Sequence, residues 1–279
     1  MSTSRSARSG KLEVPGASIY YEVRGSGPIL LLIHGGGEDA GKFRLSADHL
    51  ADAYTVLTYD RRGHSRSNPA DRTEAYRVEI YSEDAHRLLA KLTDKPAYVF
   101  GSSSGAVIGL DLCVRHPGQV RAIIPHEPVL LQLLSGNELE QAEQFMEKLK
   151  QNHRSEVMKL LSNSKTDAIK PAQSKAMLAE RLLGNSTYFT EHEIPGILHY
   201  KLDLGALKTA LKSASMRIVP AGGKASREFY LTRCAVALAE RLGTEMVEFP
   251  GNHGGYNTSD QEFALRLHDV IANCQAREQ

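Results

Sequence analysis

One stretch limits the folds open to this chain more than any other: Val99-Phe100-Gly101-Ser102-Ser103-Ser104-Gly105-Ala106-Val107. Pro96 to Phe100 reads as a buried strand, and Ala106 to Arg115 carries Val107, Leu110, Cys113 and Val114 at helical spacing. A Gly-x-Ser-x-Gly pentapeptide between them is the pattern of a sharp strand-to-helix turn that holds its central serine in a strained conformation. Such a turn leaves no room for side chains two positions away on either side, which is what Gly101 and Gly105 provide. Ser103 then stands at the N-terminus of the helix, where unpaired N–H groups and the helix dipole favour developing negative charge. Ser103 is the candidate nucleophile.

The chain has 279 residues, enough for one large α/β domain or for a domain with an insertion, and either buries a substantial core. With 34 Lys and Arg against 33 Asp and Glu, the net charge of +1 gives no sign of a polyanionic partner and argues against nucleic acid. Three cysteines, Cys113, Cys234 and Cys274, are widely spaced without a CxxC, which argues against a disulfide framework and a zinc knot. Residues 1–10 are Ser- and Arg-rich without the apolar stretch of a signal peptide, and Ile29 to Ile33 is too short to span a bilayer. The expectation is a cytoplasmic protein with a disordered tail at 1–10 and no membrane partner.

In chain order, Lys11 to Val14 and Ser18 to Val23 predict an antiparallel hairpin around Pro15-Gly16 at a sheet edge. Ile29 to Ile33 is the continuous apolar run of a strand buried on both faces, and it ends in His34-Gly35-Gly36-Gly37. Glycines there let the backbone approach a ligand and aim N–H groups at a carbonyl oxygen that becomes an oxyanion. The expected donors are the amides of Gly36 and Ser104, with Gly35 as an alternative to Gly36, and His34 is read as structural. Gly41 to Ala53 is a weak helix and Tyr54 to Tyr59 a strand. Asp60 to Ser67 reads as a structured turn in which nothing singles out His64. Ala75 to Leu92 is a helix, and Val120 to Pro125 is a buried strand leading into His126-Glu127-Pro128.

From 129 to 213 glycine thins and Glu, Lys, Gln, Leu and Met increase. Asn137 to Asn163 and Lys170 to Leu183 are amphipathic, with Met146, Met158 and Met177 read as packing inside a helical insert. Alternation of strand and helix returns with Ser215 to Ala221, Ser226 to Leu242, Glu245 to Phe249 and Ser259 to Asn273. This divides the chain into a core of 11–128 and 214–279 and a cap of 129–213. The fold class is α/β, a mostly parallel, doubly wound sheet with an inserted helical cap. His253 lies in Pro250-Gly251-Asn252-His253-Gly254-Gly255 after the last core strand, free to reach across the strand tips. It is the candidate general base; His86 and His268 sit in helices.

By His34-Gly35-Gly36-Gly37, Gly101-Ser102-Ser103-Ser104-Gly105 and Gly251-Asn252-His253, the segment from about Lys11 to Ile271 resembles the α/β-hydrolase fold family. The resemblance implies a Ser-His-acid triad whose acid usually follows the strand after the cap. Here that loop reads Ala221-Gly222-Gly223-Lys224-Ala225-Ser226, with Ala225 where the acid is expected, and Glu228 comes later, in the next helix. The family also tolerates an acid one strand earlier, where Glu127 lies. Zearalenone lactonases are similar in a Pro-His-Glu stretch whose Glu serves as the acid, matching Pro125-His126-Glu127. Glu127 is therefore assigned ahead of Glu228. The resemblance implies a serine hydrolase for a small-molecule carboxylic ester or lactone, with a zearalenone-type lactone as the most specific substrate. It implies no cofactor and no metal. A C–C bond hydrolase, a perhydrolase and a ligand-binding receptor that retains the triad are the alternatives, and a homodimer is left open.

Overall fold

The computed structural model of the protein describes residues 7–163 and 172–276. Its centre is a sheet built from β1 (Arg8–Val14), β2 (Ala17–Arg24), β3 (Ile29–Ile33), β4 (Thr55–Tyr59), β5 (Asn68–Pro69), β6 (Ala97–Ser102), β7 (Val120–His126), β8 (Arg217–Ile218), β9 (Ala221–Gly223) and β10 (Val247–Phe249). The order is β1-β2-β4-β3-β6-β7-β9-β10, with β5 paired to β2 and β8 to β7. From β4 to β10 every pairing is parallel, and β1 and β5 pair antiparallel to β2, as β2 does to β4.

Alternation along the central strands divides the core between the two faces of this sheet. Leu31, Ile33, Leu57, Val99 and Ile123 pack on one side, against α2 (Val78–Leu92) and α3 (Ser104–Arg115). Leu30, Leu32, Val56, Phe100 and Ile124 pack on the other, against α1 (Arg44–Leu50) and α10 (Asp260–Ala276). Strands covered on both faces are the reason β3 and β6 read as unbroken apolar runs.

Register places the chemistry. Ile33 pairs with Gly101, Ser102 with His126, and His126 with Ala221, so the C-terminal ends of β3, β6 and β7 finish level and β9 starts beside the end of β7 and runs two residues further. The loops that leave them carry His34, Ser103, Glu127 and Lys224 at one edge of the sheet, where parallel α/β proteins bind ligands.

Between β7 and β8 the chain forms α4 (Gly136–Asn163), α5 (Ala172–Tyr188), one π-helical turn (Phe189–Glu193), α6 (Ile194–His199) and α7 (Leu204–Ser213). Ala142, Met146, Ile194, Ile197, Leu207 and Ala210 bury their side chains in the larger of the two core clusters. Polar ties add to this: Tyr200 Oη donates to Asp111 Oδ1 of α3 at 2.8 Å, and Arg181 Nε lies 3.0 Å from Asp39 Oδ2.

Several expectations change in detail. Of the tail expected to be disordered at 1–10, Arg8, Ser9 and Gly10 instead extend β1 opposite Val23, Glu22 and Tyr21, and residues 1–6 lie outside the described residues. Gly10 is suited to this, since a Cβ there would meet Tyr21 Oη at 2.7 Å. Met146 is buried as expected, but Met177 is 71 % exposed on the outer face of α5, and the Met158 side chain lies outside the described residues. The single strand expected at Ser215 to Ala221 divides into β8 and β9 around Pro220, which has no N–H to give to a ladder. The helix expected from Ser226 begins at Tyr230 (α8, Tyr230–Leu242), after a 3-10 turn at Lys224–Ser226. A short helix unseen in the sequence, α9 (Gly255–Thr258), follows His253 directly.

Candidate active site

Ser103 has φ 56° and ψ −122°, a conformation that side chains rarely adopt, at the junction of β6 and α3. The two glycines of the pentapeptide are sterically required. A Cβ on Gly101 would meet the Gly105 carbonyl oxygen at 2.5 Å, and one on Gly105 would overlap the Ile33 carbonyl of the neighbouring strand. Ser103 N–H donates to the His126 carbonyl at 2.9 Å, which locks the turn onto β7. The residue is 7 % exposed.

Glu127 follows the end of β7 with φ 46° and is fully buried. Its backbone N–H bonds the Ala221 carbonyl at 2.9 Å. Oε1 accepts from Gly223 N at 2.8 Å, Ser226 Oγ at 2.5 Å and Thr232 Oγ1 at 2.8 Å, while Oε2 lies 2.5 Å from His253 Nδ1. Burial pushes this carboxyl up, but the bond from His253, the charges of His126 and His253 and the Ser226 hydroxyl outweigh it, and the net result is a pKa lowered to about 2. A carboxylate partner on Nδ1 fixes the His253 tautomer with its proton on that nitrogen. Glu228, the other candidate acid, is exposed. Ser226, in the loop where the fold family usually carries its acid, instead supplies a hydroxyl to Glu127.

The His253 side chain is 34 % exposed and packs edge-on to Phe229, ring centroids 5.5 Å apart. Its ring lies 6.3 Å from that of His126, whose carbonyl holds the Ser103 amide. The three sequence-predicted residues thus converge on one strand edge. Among the described residues, Ser103 Oγ and His253 share no hydrogen bond. His126 itself is enclosed by Phe100, Phe249 and Phe263, and burial lowers its pKa to about 4, so it is neutral near pH 7 and charged only in the acid range where Glu127 titrates.

The glycine loop after β3 lies against the nucleophile, since a Cβ on Gly35 would sit 3.2 Å from Ser103 Cβ. Gly35 N–H donates to Glu38 Oε2 at 3.3 Å, and Glu38 in turn accepts from Tyr256 Oη at 2.9 Å. This contact occupies the alternative donor. The Gly36 amide has no such partner among the described residues, and the Phe189 ring of the π turn lies directly over Gly36, in the space a Cβ would fill. Ser104 N begins α3, where an amide has no intrahelical acceptor. His34 is structural, as expected: Nδ1–H donates to the Gly35 carbonyl at 2.8 Å, and Nε2 accepts from Arg61 N at 3.0 Å.

Sequence reading missed Glu38, Arg61, Ser226, Thr232 and Glu193, polar residues brought to this edge by long-range packing, all of them buried except the partly exposed Glu38. A signal existed for Arg61, within Asp60-Arg61-Arg62-Gly63, but not for its partner 132 residues away. Among the described residues, two groups could each offer a metal three ligand atoms lying within 4.8 Å of one another: Glu83, His86 and His116, and His126, Glu127 and His253. In the first, His116 Nε2 is paired to Glu83 at 2.7 Å and His86 Nδ1 to Gln119 at 2.9 Å. In the second, the Glu127 oxygens already accept four hydrogen bonds. The three cysteines are free and buried, and no described helix is long and apolar enough to cross a membrane.

A strained serine at a strand–helix turn, with a His–Glu pair at the same edge of a parallel sheet, defines a class. The chain belongs to the α/β hydrolase fold family, whose profile matches residues 28–178, and it is a hydrolase of that fold. Among individual proteins it is similar to the uncharacterized hydrolase YraK of Bacillus subtilis (strain 168), 69 % identical over 262 residues that cover 94 % of this chain and 95 % of that one. It is also similar to bifunctional epoxide hydrolase 2 of Sus scrofa, 31 % identical over 110 residues, 39 % of this chain and 20 % of the other. Among solved structures, the N-acyl homoserine lactonase AidH complexed with N-butanoyl homoserine superposes with a TM-score of 0.68 at 17 % identity, covering 96 % of this chain and 97 % of that one. A membrane phospholipase A described as a bacterial virulence factor gives 0.74 at 20 % identity, covering 96 % and 87 %. At these identities the structural likeness shows the fold.

Proposed function

We propose that the protein is a serine hydrolase that cleaves a carboxylic ester or a lactone through a Ser103-His253-Glu127 triad. The observation that carries this reading is the 2.5 Å contact between His253 Nδ1 and a buried, ionised Glu127, formed beside a serine in the strained turn. His253 Nε2 takes the Ser103 proton as Oγ attacks the carbonyl carbon. Glu127 keeps the imidazole oriented and stabilises the imidazolium. The carbonyl oxygen becomes an oxyanion against the amides of Gly36 and Ser104. The proton then passes to the leaving alkoxide, and a water activated by the same His253 releases the acyl group from Ser103. Contacts of this kind are often open without substrate and close in the Michaelis complex, which is the role given to the Ser103–His253 hydrogen bond.

In this reading the helices between residues 129 and 213 are the cap over a core of 11–128 and 214–279, and Phe189 and Phe229 wall the acyl site. The lactone branch rests on the Pro125-His126-Glu127 stretch, with a zearalenone-type ring as its most specific form. The test is a fluorophosphonate probe combined with turnover of p-nitrophenyl acetate and a panel of lactones. Labelling at Ser103 with sustained release supports the hydrolase. Labelling followed by a single slow turnover overturns it in favour of a receptor. Ser103→Ala is expected to abolish both labelling and release while leaving the circular-dichroism spectrum and melting temperature unchanged.

A further inference from the structure

The π turn Phe189–Glu193 ends on a carboxylate that is fully buried, and so is its partner, the guanidinium of Arg61. Arg61 Nη2 is 2.9 Å from Glu193 Oε2 and also 2.9 Å from the carbonyl oxygen of Gly35. That carbonyl is held a second time by His34 Nδ1–H at 2.8 Å. The Gly35 carbonyl and the Gly36 N–H belong to the same peptide unit. Because the unit is planar and trans, fixing the direction of the carbonyl fixes the N–H in the opposite direction. Glycines on both sides would otherwise leave this unit free to rotate, and Gly37 already uses a left-handed φ of 70°.

We propose that Arg61 and Glu193 are positioning residues for the oxyanion donor: together they orient the Gly35–Gly36 peptide so that the Gly36 N–H faces the nucleophile, and they do so only when the π turn is docked. This rests on the proposed hydrolase reading and adds to it a coupling between the insert and the donor. Two features agree with it. The same turn lays Phe189 on Gly36, so one five-residue segment grips the loop at two points. The neighbouring residues of α5 grip it at a third, where Asn185 Nδ2 donates to the Glu38 carbonyl at 3.2 Å. A buried ion pair is a poor source of net stability, since desolvation offsets most of its attraction, but it is a strict geometric constraint. A π turn is likewise an uncommon local geometry that recurs at functional sites.

The test compares wild type, Glu193→Gln and the double variant Arg61→Met/Glu193→Leu, which removes both charges and leaves neither buried alone. Hydrogen exchange is followed at residues 35–37 and at residues 97–102 of β6. kcat and KM are measured for p-nitrophenyl acetate, and affinity is measured for an aryl trifluoromethyl ketone and for the matching alcohol. Ser103 Oγ adds to the ketone carbonyl carbon as its proton passes to His253 and the C=O π electrons move to oxygen, giving a tetrahedral oxyanion; the alcohol has no carbonyl to add to. In the double variant the proposal expects faster exchange at 35–37 with β6 unchanged. It expects kcat lower by about 10- to 100-fold at nearly constant KM, and ketone affinity lower by a similar factor with alcohol affinity intact. Glu193→Gln is expected to fall between the two and decides the matter alone if the double variant does not fold. Equal losses for ketone and alcohol together with a lower melting temperature would mean general loosening and overturn the proposal, as would unchanged exchange at 35–37. A wild type that neither turns over esters nor binds the ketone defeats the hydrolase reading instead, and exchange at 35–37 then decides the coupling: acceleration upholds it and no change refutes it.

Discussion

Glu127 is a carboxylate that the fold has made unable to take up a proton near neutrality, and it reaches that state through four donors from three different segments. Its replacement by Gln keeps the size but offers an NH2 or a neutral oxygen to His253 Nδ1, which favours the wrong tautomer and removes the charge that stabilises an imidazolium. Glu127→Gln is expected to lower kcat on the order of 10²- to 10⁴-fold with little change in KM. Glu228→Gln, on an exposed residue, is expected to leave both unchanged. Steady-state kinetics on the two variants decide between the acids, and the reverse pattern would reject Glu127. The proposed acid was legible in the sequence only as a Pro-His-Glu stretch at a strand end. Its support from Gly223, Ser226 and Thr232 was not, because those residues lie 96 to 105 positions away and meet it only after β7 and β9 pair.

At the scale of elements, the strand–turn–helix around Ser103 was readable because its demand for space is local: two glycines with strict size limits flank the serine between a strand and a helix. The same locality made β3, β6 and β7 readable as apolar runs and β4 as an alternating strand. Where the sequence signal failed, tertiary context was dominant. Ser9 and Gly10 became strand through pairing to β2, and the run from Ser215 was broken by Pro220 within a sheet that needed only short pieces on either side of it. The close approach of α3 to β3 can be tested at Gly105, whose Cβ would overlap the Ile33 carbonyl and lie 2.5 Å from that of His34. Backbone cannot move aside as a flexible side chain can. Gly105→Ala is therefore expected to lose about 2–4 kcal/mol in urea unfolding. Gly184, exposed within α5 with open space around its Cα, gives the opposite sign. Gly184→Ala is expected to gain roughly 0.5–1 kcal/mol, because the glycine pays only an entropic penalty there. Equal effects at the two positions would show that helix propensity, not the β3–α3 contact, governs Gly105.

Across the whole molecule, Glu127 joins parts of the chain that lie on opposite sides, in sequence, of the helices α4 to α7: β7 precedes them, while β9, α8 and the His253 loop follow them. A carboxylate in that place makes global stability depend on pH. Burial opposes its charge, but the hydrogen bonds and neighbouring histidines prevail and lower its pKa from 4.5 to about 2. As pH falls below 4.5, the unfolded chain binds this proton before the folded one does, so the stabilisation is complete above pH 4.5 and is lost as pH drops through 2. The full difference corresponds to about 3 kcal/mol. Gln at this position does not titrate, so the variant lacks this contribution at every pH. The gap in unfolding free energy between wild type and Glu127→Gln, measured in urea at matched ionic strength, is expected to include nearly all of this contribution at pH 5. It should then narrow by about 2 kcal/mol on going to pH 3. A gap that stays constant down to pH 3 would mean that Glu127 titrates like an exposed carboxyl, which is incompatible with a closed bond from His253 and with four donors converging on its oxygens.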